Sequence, residues 1–477
     1  MIERSYDVVV VGAGSGGYAS ARTARDMGAS VALVDHGPLG GLCILRGCMP
    51  SKAFIASSDA AYDAREARGL GINAASISPD MPFVAARKRG LVKSFADYRI
   101  EGIATFPLYE GNATFLSPAQ LRVGGETVLA AKKFIIATGS ITTPPAIPGL
   151  AEAGFIDSDA VLELERIPKS VIVLGGGYTA CELGQFLSRM GARTTIVIRS
   201  GHVLSHSDPD VGVALMEAFA EESIEVVAHA RLIRVERRGA ERVVHVAVDG
   251  VEREIAAEEI FLALGRSPNV AGLDLASAGV EHDPTGGIRI DSSLRTSNPN
   301  VFAIGDVTGK FLLVHVAIYE GEVAARNAVS DAFENVDYRT VSAHTIFCDP
   351  QVARVGKSER TLQRAEIPYV VGRYAFAEHG KAMCLGKTKG FVKIMAEAPG
   401  GEILGATVVG AQASELIHEM IVAMHYHATV QAFMRIPHLH PTLAEIWTYP
   451  AEECAALLGM REPGDEQIEV ATSGTAS

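Results

Sequence analysis

A chain of 477 residues, 48% of them hydrophobic, is long enough for about three domains of roughly 150 residues, and it is no disulfide-stapled miniprotein. Its net charge of -13 argues against nucleic acid and anionic membrane surfaces as partners, and no stretch reaches the ~18 uninterrupted apolar residues of a membrane helix. Six scattered cysteines (Cys43, Cys48, Cys181, Cys348, Cys384, Cys454), with no basic and apolar leader at the N-terminus, point to a reducing cytoplasm and to a small-molecule enzyme.

In chain order, YDVVVVGAGSGGYASARTARDMGASVALVD (6–35) reads as a strand buried on both faces, a glycine turn, a helix and a second strand ending at Asp35. Gly12, Gly14 and Gly17 form G-x-G-x-x-G: the first allows the tight turn, the second admits a pyrophosphate, and the third lets helix and strand pack closely. Free N–H groups at the helix start suit the phosphates, and Asp35 suits a ribose hydroxyl. Next comes GGLCILRGCMPSK (40–52), with Cys43 and Cys48 five apart. On a regular helix that spacing means about 7.5 Å of rise and about 140° of rotation, so a paired arrangement needs a distorted turn, and Gly47 offers it. The spacing alone leaves a redox couple, half a metal site and two buried thiols open. A zinc site, however, wants four ligands, and no second cysteine pair is present.

KKFIIATGS (132–140) is a buried strand running into Gly139. SVIVLGGGYTACELGQFLSRMGARTTIVIR (170–199) repeats the nucleotide unit, with Gly175 and Gly177 in the first two glycine positions and Ala180 in the third. Its second strand ends at Ile198 without an acid. Arg199 follows, a guanidinium suited to a 2′-phosphate, which favours NADP over NAD. EEIFLALGRSPN (258–269) carries Gly265 and Arg266, and SNPNVFAIGDVTG (297–309) reads as a strand ending in Asp306. Two dinucleotide folds imply two dinucleotides, most economically a flavin fed by a nicotinamide. The flavin unit over 1–150 is thus interrupted by a nicotinamide unit over 151–270 and resumes over 271–338. Beyond it, HTIFCDPQVARVG, GFVKIMAEAPGGEILGATVVG and SELIHEMIVAMHYHATVQAFMRI read as strand, hairpin and amphipathic helix of an α+β domain (339–465), before a polar tail (466–477) expected to be flexible. The fold class is α/β, with two Rossmann-like units and a C-terminal α+β domain.

These motifs, in this order, resemble the FAD-dependent pyridine nucleotide–disulfide oxidoreductases, over about residues 5–460. Gly40, Gly41, Cys43, Gly47, Cys48, Pro50, Ser51 and Lys52 match the family's redox segment. The resemblance implies a Cys43–Cys48 redox disulfide, with Cys48 against the flavin and Cys43 exchanging with substrate. It implies Lys52 near the flavin, paired with Glu182 of CELG, and a cofactor-facing set extended to Gly41, Ser140 and His315. HLHPTLAEIW (438–447) resembles the family's H-P-T-x-x-E, which implies His440 as acid–base group, Glu445 as its carboxylate, and a homodimer in which that histidine reaches the partner's disulfide. A neighbouring imidazole can take and return a thiol proton near neutral pH, and a carboxylate on its other nitrogen stabilises the imidazolium. His440 and Glu445 can face one another only if the segment is not a regular helix, and Pro441 provides a break.

The resemblance implies FAD and NAD(P)(H) as cofactors, no resident metal, and a small disulfide, a dithiol or a lipoylated carrier protein as partner. Within the family the HPTLAE segment is nearest to dihydrolipoamide dehydrogenases, while Arg199 points to NADPH-using reductases. Leu42, the ILR between the cysteines and Asp35 depart from the usual pattern; Arg46 offers a cation to a thiol or an acidic substrate, or is simply solvated. The tail lacks the vicinal cysteines of mercuric reductases. His418, His425, His427, His438 and His440 form a candidate metal cluster that a helix face and one acid–base histidine explain more simply. The alternative activity is NADPH-dependent reduction of another small disulfide, a quinone or a metal ion.

Overall fold

The computed structural model describes residues 2–460 apart from 75, 284 and 331. The valine run at the N-terminus forms the strand Ile2–Val11, parallel to Val31–Asp35 on one side and to Thr127–Ile136 on the other. Val8 and Val10 pack with Ala21, Ala24, Val323 and Ala324 of the helices Ser15–Asp26 and Val314–Val329. Val9 and Val11 pack on the opposite face with Phe115, Leu121 and Leu273. Burial on both faces is why this strand shows no polar alternation. Leu108–Glu110 adds to the parallel side, Gln120–Val123 and Ala113–Ser117 turn back antiparallel, and Val301–Ala303 returns against Thr127–Ile136 to complete seven strands.

Between the two passes of that sheet, four parallel strands lie in the order Glu225–Val227, Arg193–Val197, Ser170–Leu174, Glu259–Leu262, the 3-2-1-4 order of a Rossmann half. An antiparallel trio, Ala230–Arg238, Glu241–Val248 and Val251–Ala257, fills the crossover to its last strand, an element the sequence reading did not find. The C-terminal part is a five-stranded antiparallel sheet whose inner residues pack with the helices Ala413–His425 and Thr448–Leu457 around the fully buried Trp447. The fold is therefore α/β with two Rossmann-like units and a C-terminal α+β domain. No helix among the described residues is long and apolar enough to cross a membrane.

Several local expectations need correction. The strand before Asp306 stops at Ala303, and Asp306 sits in the 3-10 turn Gly305–Thr308, because the backbone turns left-handed at Gly305 (φ +67°). The strand before Arg199 stops at Val197. HTIFCDPQVARVG is two antiparallel strands, His344–Ile346 and Gln351–Gly356. The single helix expected over 414–436 is broken after His425: His427 is left-handed (φ +54°), and the separate helix Val430–Met434 follows, capped by Thr429. The tail at 466–477 lies outside the described residues.

Two buried cations fasten the units together. Arg189, 3% exposed, meets Glu222, Asp59 and Asp349 at 2.6, 2.7 and 2.9 Å, joining the helix Cys48–Glu66 to the second and third units. Lys393, 1% exposed, meets Asp208 and Asp210 at 3.0 Å and Glu359 at 2.7 Å. Such clusters hold only while every partner is present, since a buried charge left alone is costly.

Candidate active site

Cys43 lies on the short helix Gly41–Arg46, and Cys48 opens the long helix Cys48–Glu66. The break between them is Gly47. A Cβ there would stand 3.0 Å from the Leu42 carbonyl oxygen and 3.3 Å from Cys43 Cα, so a bare backbone is what lets the second helix start against the first. The distortion demanded by the spacing is present, and the two thiols influence one another. That interaction makes the pair unequal. The neighbouring Cys43 brings Cys48 down to about 7, helped by the Lys52 charge against burial, while Cys43 itself is pushed up.

Lys52 follows Cys48 by four residues and shares its helix face. Its Nζ is 2.9 Å from Glu182 Oε2 and 4.5 Å from the centre of the Phe347 ring, and Glu182 Oε1 accepts from the Phe347 backbone N–H at 2.9 Å. The expected Lys52–Glu182 pair is thus formed, with Glu182 only 8% exposed. Phe347, its third member, was missed because an aromatic far along the chain carries no sequence signal. Arg46 faces Asp159 at 3.5 Å, a half-exposed pair across to the second unit, so the unusual cation has a carboxylate partner of its own.

His440 Nδ1 and Glu445 Oε2 are 2.9 Å apart, with Glu445 in the 3-10 turn Ala444–Trp447. The segment between them is not helical, as Pro441 suggested. His440 is 81% exposed in the single chain, and no hydrogen bond or ion pair joins it to either cysteine. The other histidines disperse: His438 Nε2 faces Glu419 at 2.6 Å, His427 faces Glu402 at 2.7 Å, and no three metal-ligating side chains gather among the described residues. A further histidine unmarked by any motif, His379, stands 3.6 Å from the other oxygen of Glu445.

The glycine turns fit the two dinucleotides. Gly12 (φ +105°) has no room for a side chain, since a Cβ would strike the Ala137 carbonyl oxygen at 2.3 Å; at Gly17 it would strike that of Gly12 at 1.8 Å. Gly14 caps the first helix and Gly177 the helix Tyr178–Arg189 without any side-chain cap, which leaves their first N–H groups for phosphate oxygens. In the second turn, Gly175 lies against the Ala263 carbonyl oxygen while open space surrounds Gly177. Gly41 backs onto Gly14, so the cysteine helix begins at the phosphate turn. Asp35 Oδ2 accepts from Ala13 N–H and Oδ1 from Gly37 N–H, both at 2.7 Å, so the acid also braces the turn.

Farther along, Ser140 Oγ donates to Asp306 Oδ2 at 2.6 Å and accepts from Arg266 Nε at 2.9 Å, which gathers three predicted residues beside Gly139 and Gly265. Burial raises Asp306 and lowers Arg266. Next to them the fully buried Glu320 takes the Gly305 N–H and the Tyr338 hydroxyl, both at 2.6 Å, a brace that sequence reasoning missed. His315 Nε2 donates to the Ala343 carbonyl at 2.8 Å, so that nitrogen ties the helix to the following segment. Arg199 is exposed and makes no hydrogen bond or ion pair.

Two Rossmann units, a glycine-bound cysteine pair and a histidine–carboxylate pair define a dinucleotide-dependent thiol–disulfide oxidoreductase. The family model described as pyridine nucleotide-disulphide oxidoreductase matches residues 6–321, and that of the family's dimerisation domain matches 342–451. The chain belongs to this family, and it is an FAD-dependent oxidoreductase that uses NAD(P)(H). It is 34% identical to a dihydrolipoyl dehydrogenase of Chlamydia muridarum over 94% of this chain and 97% of the relative. To a mercuric reductase of Bacillus cereus it is 32% identical, over 92% and 70%. Among solved structures, LpdA of Mycobacterium tuberculosis superposes with a TM-score of 0.84 at 26% identity, over 94% of this chain and 99% of that one.

Proposed function

We propose that the chain oxidises a dithiol, dihydrolipoamide free or on a carrier protein, at a Cys43–Cys48 redox couple, and passes the two electrons to a nicotinamide dinucleotide. The observation that carries this reading is the arrangement of the pair: Cys43 and Cys48 lie on either side of the Gly47 break, and Lys52, held 2.9 Å from Glu182, stands one helical turn beyond Cys48. FAD, when bound, supplies the relay by which two electrons move between the cysteines and the nicotinamide. The chain's own residues do the rest. Cys43, on the short helix, exchanges with the substrate sulfur. His440 takes the first substrate thiol proton on Nε2 while Glu445 holds Nδ1, and a substrate thiolate then attacks the Cys43–Cys48 disulfide at Cys43. The second substrate thiol attacks the mixed disulfide and displaces Cys43, which leaves with that thiol's proton, so that lipoamide departs with a new S–S bond, Cys43 is a thiol, Cys48 a thiolate and His440 an imidazolium. Lys52 balances the charge left on Cys48.

The acid–base pair belongs to the site of a second copy in a homodimer. In support, Leu439 beside His440 is 80% exposed, and Ile436, Val422 and Tyr426 of the same domain are exposed at 54%, 57% and 76%. NADPH is favoured over NADH by the unpaired Arg199, and the reducing cytoplasm remains the compartment that suits the cysteine usage.

Steady-state turnover of the FAD-loaded protein with dihydrolipoamide, lipoamide, glutathione disulfide and quinones, each with both nicotinamides, tests the assignment. Lipoamide turnover lost in Cys43→Ala is the expected outcome. Quinone turnover that survives Cys43→Ala, with no lipoamide activity, would replace it by a direct flavin reductase.

A further inference from the structure

We propose that His379 is a positioning residue for the His440–Glu445 pair: its Nε2–H is a second donor to Glu445, holding Oε1 so that Oε2 stays on His440 Nδ1. The inference rests on the reading of His440 as the acid–base group.

His379 caps the helix Gly380–Leu385 with its side chain: Nδ1 accepts from the Ala382 backbone N–H at 3.4 Å. A neutral imidazole carries one proton, so with Nδ1 as acceptor the proton sits on Nε2. The cap therefore fixes both the tautomer and the direction of the ring. That Nε2 is buried in a side chain 1% exposed and has no hydrogen-bond partner, an uncommon condition for a buried donor. The carboxylate oxygen it faces is Glu445 Oε1, at 3.6 Å. This is just longer than a hydrogen bond, and active-site contacts of this kind shorten when the site is assembled around its substrate.

The surroundings keep the ring in this role. Glu445 and His440 face it from either side of Pro441, and the Tyr449 ring meets it edge-on at 6.2 Å from the next helix. Tyr449 is itself stacked at 4.0 Å on Tyr374, whose hydroxyl donates to the Glu378 carbonyl at 3.1 Å. Burial holds His379 below the ordinary histidine range against the pull of Glu445, and the charge of His440 adds to the lowering. His379 thus stays neutral, and His440, 81% exposed, is the member of the pair free to take a proton from substrate. Glu445 is shared between two histidines with different tasks: His440 moves the proton, and His379 fixes the carboxylate that stabilises the charge.

Two substitutions separate the two nitrogens. His379→Asn puts an amide where Nδ1 lies, keeping the cap and losing the donor; His379→Gln reaches the Nε2 position, keeping the donor and losing the cap. In the FAD-loaded dimer, kcat and KM for dihydrolipoamide are followed against pH. In parallel, the pH midpoint of His440 modification by diethyl pyrocarbonate is read by peptide mass, with or without flavin. His379→Asn should lower kcat roughly ten-fold at unchanged KM and Tm and move the His440 midpoint to lower pH, because the imidazolium loses a fixed partner. His379→Gln should keep the midpoint and kcat while Tm falls. A wild-type midpoint in His379→Asn, or a lowered one in His379→Gln, overturns the proposal, and if the Asn variant does not fold, the Gln variant alone decides. His440→Gln is run alongside. Full dithiol turnover in that variant would remove the acid–base reading, whereas the modification midpoints of the His379 variants would still say whether Glu445 is held.

Discussion

The cysteine segment and the histidine segment are built in opposite ways. Cys43 and Cys48 are half-buried, act on one another, and have Lys52, Glu182 and Phe347 arranged behind them, all from one chain. His440 and Glu445 also form a pair, yet His440 stands 81% exposed on a surface rich in apolar side chains, with no thiol of its own chain bonded to it. The first region sets a chemical potential, which requires burial and fixed charges. The second must meet a substrate and a second copy, which requires exposure until assembly. On the proposed reading, a thiol pair tuned in one chain and a proton carrier offered outward would make the dimer the smallest unit that holds a whole site.

Complementation breaks or sustains this contrast most sharply, because it asks which chain each half comes from. Cys43→Ser and His440→Gln homodimers should each lose nearly all dithiol turnover, since removing an exchange thiol or an acid–base group costs about 100-fold to 10,000-fold. After the two are unfolded together and refolded with FAD, half of the dimers are mixed. Each mixed dimer holds one site with intact cysteines facing an intact histidine, so roughly a quarter of wild-type activity should return. No recovery would mean that both groups act within one chain.

The next effect tests the buried half alone. Thiolate absorbance of the reduced protein should titrate near pH 7 for Cys48, and Cys43→Ala should raise that midpoint the most because the neighbouring Cys43 is its largest cause. Lys52→Met should raise it less. The thiolate fraction of Cys48 should accordingly fall as pH drops through about 7. A midpoint unmoved in both variants would separate the thiol tuning from this geometry. Glu182→Gln should destabilise the fold by about 1–3 kcal/mol in chemical unfolding, less than for a fully buried pair because Lys52 keeps a third of its side chain in water.

What was legible in the sequence follows the range over which its signals act. Continuous valine and isoleucine runs, glycines at fixed offsets and a strand-terminal Asp35 are local, and they led directly to the two Rossmann units and their turns. The cysteine spacing correctly demanded a distortion at Gly47, and Pro441 a non-helical path to Glu445. Contacts between distant segments left no such trace. Phe347 beneath Lys52, Asp159 opposite Arg46, Glu320 behind Gly305 and His379 behind Glu445 are ordinary residues in sequence that acquire meaning only when the units dock. The helix over 414–436 was overextended for a related reason: its apolar period continues past the left-handed His427, which no propensity marks.

The smallest effect concerns the cofactor rather than the couple. Arg199 lies two residues past the strand Arg193–Val197, exposed and without a partner in its own chain, so Arg199→Ala should leave stability unchanged. A guanidinium that meets a 2′-phosphate gains a charge-assisted contact which NADH cannot offer. KM for NADPH should therefore rise about ten-fold in the variant, an effect of about 1.4 kcal/mol, while KM for NADH stays put. Because the site is exposed, added salt should narrow the difference between the two coenzymes in the wild type and leave the variant's ratio flat. A wild-type preference for NADH would reverse the assignment, and it would do so without touching the cysteine chemistry, since a guanidinium beside the 2′-phosphate meets only the far end of the dinucleotide, away from the ring that exchanges electrons with the thiols.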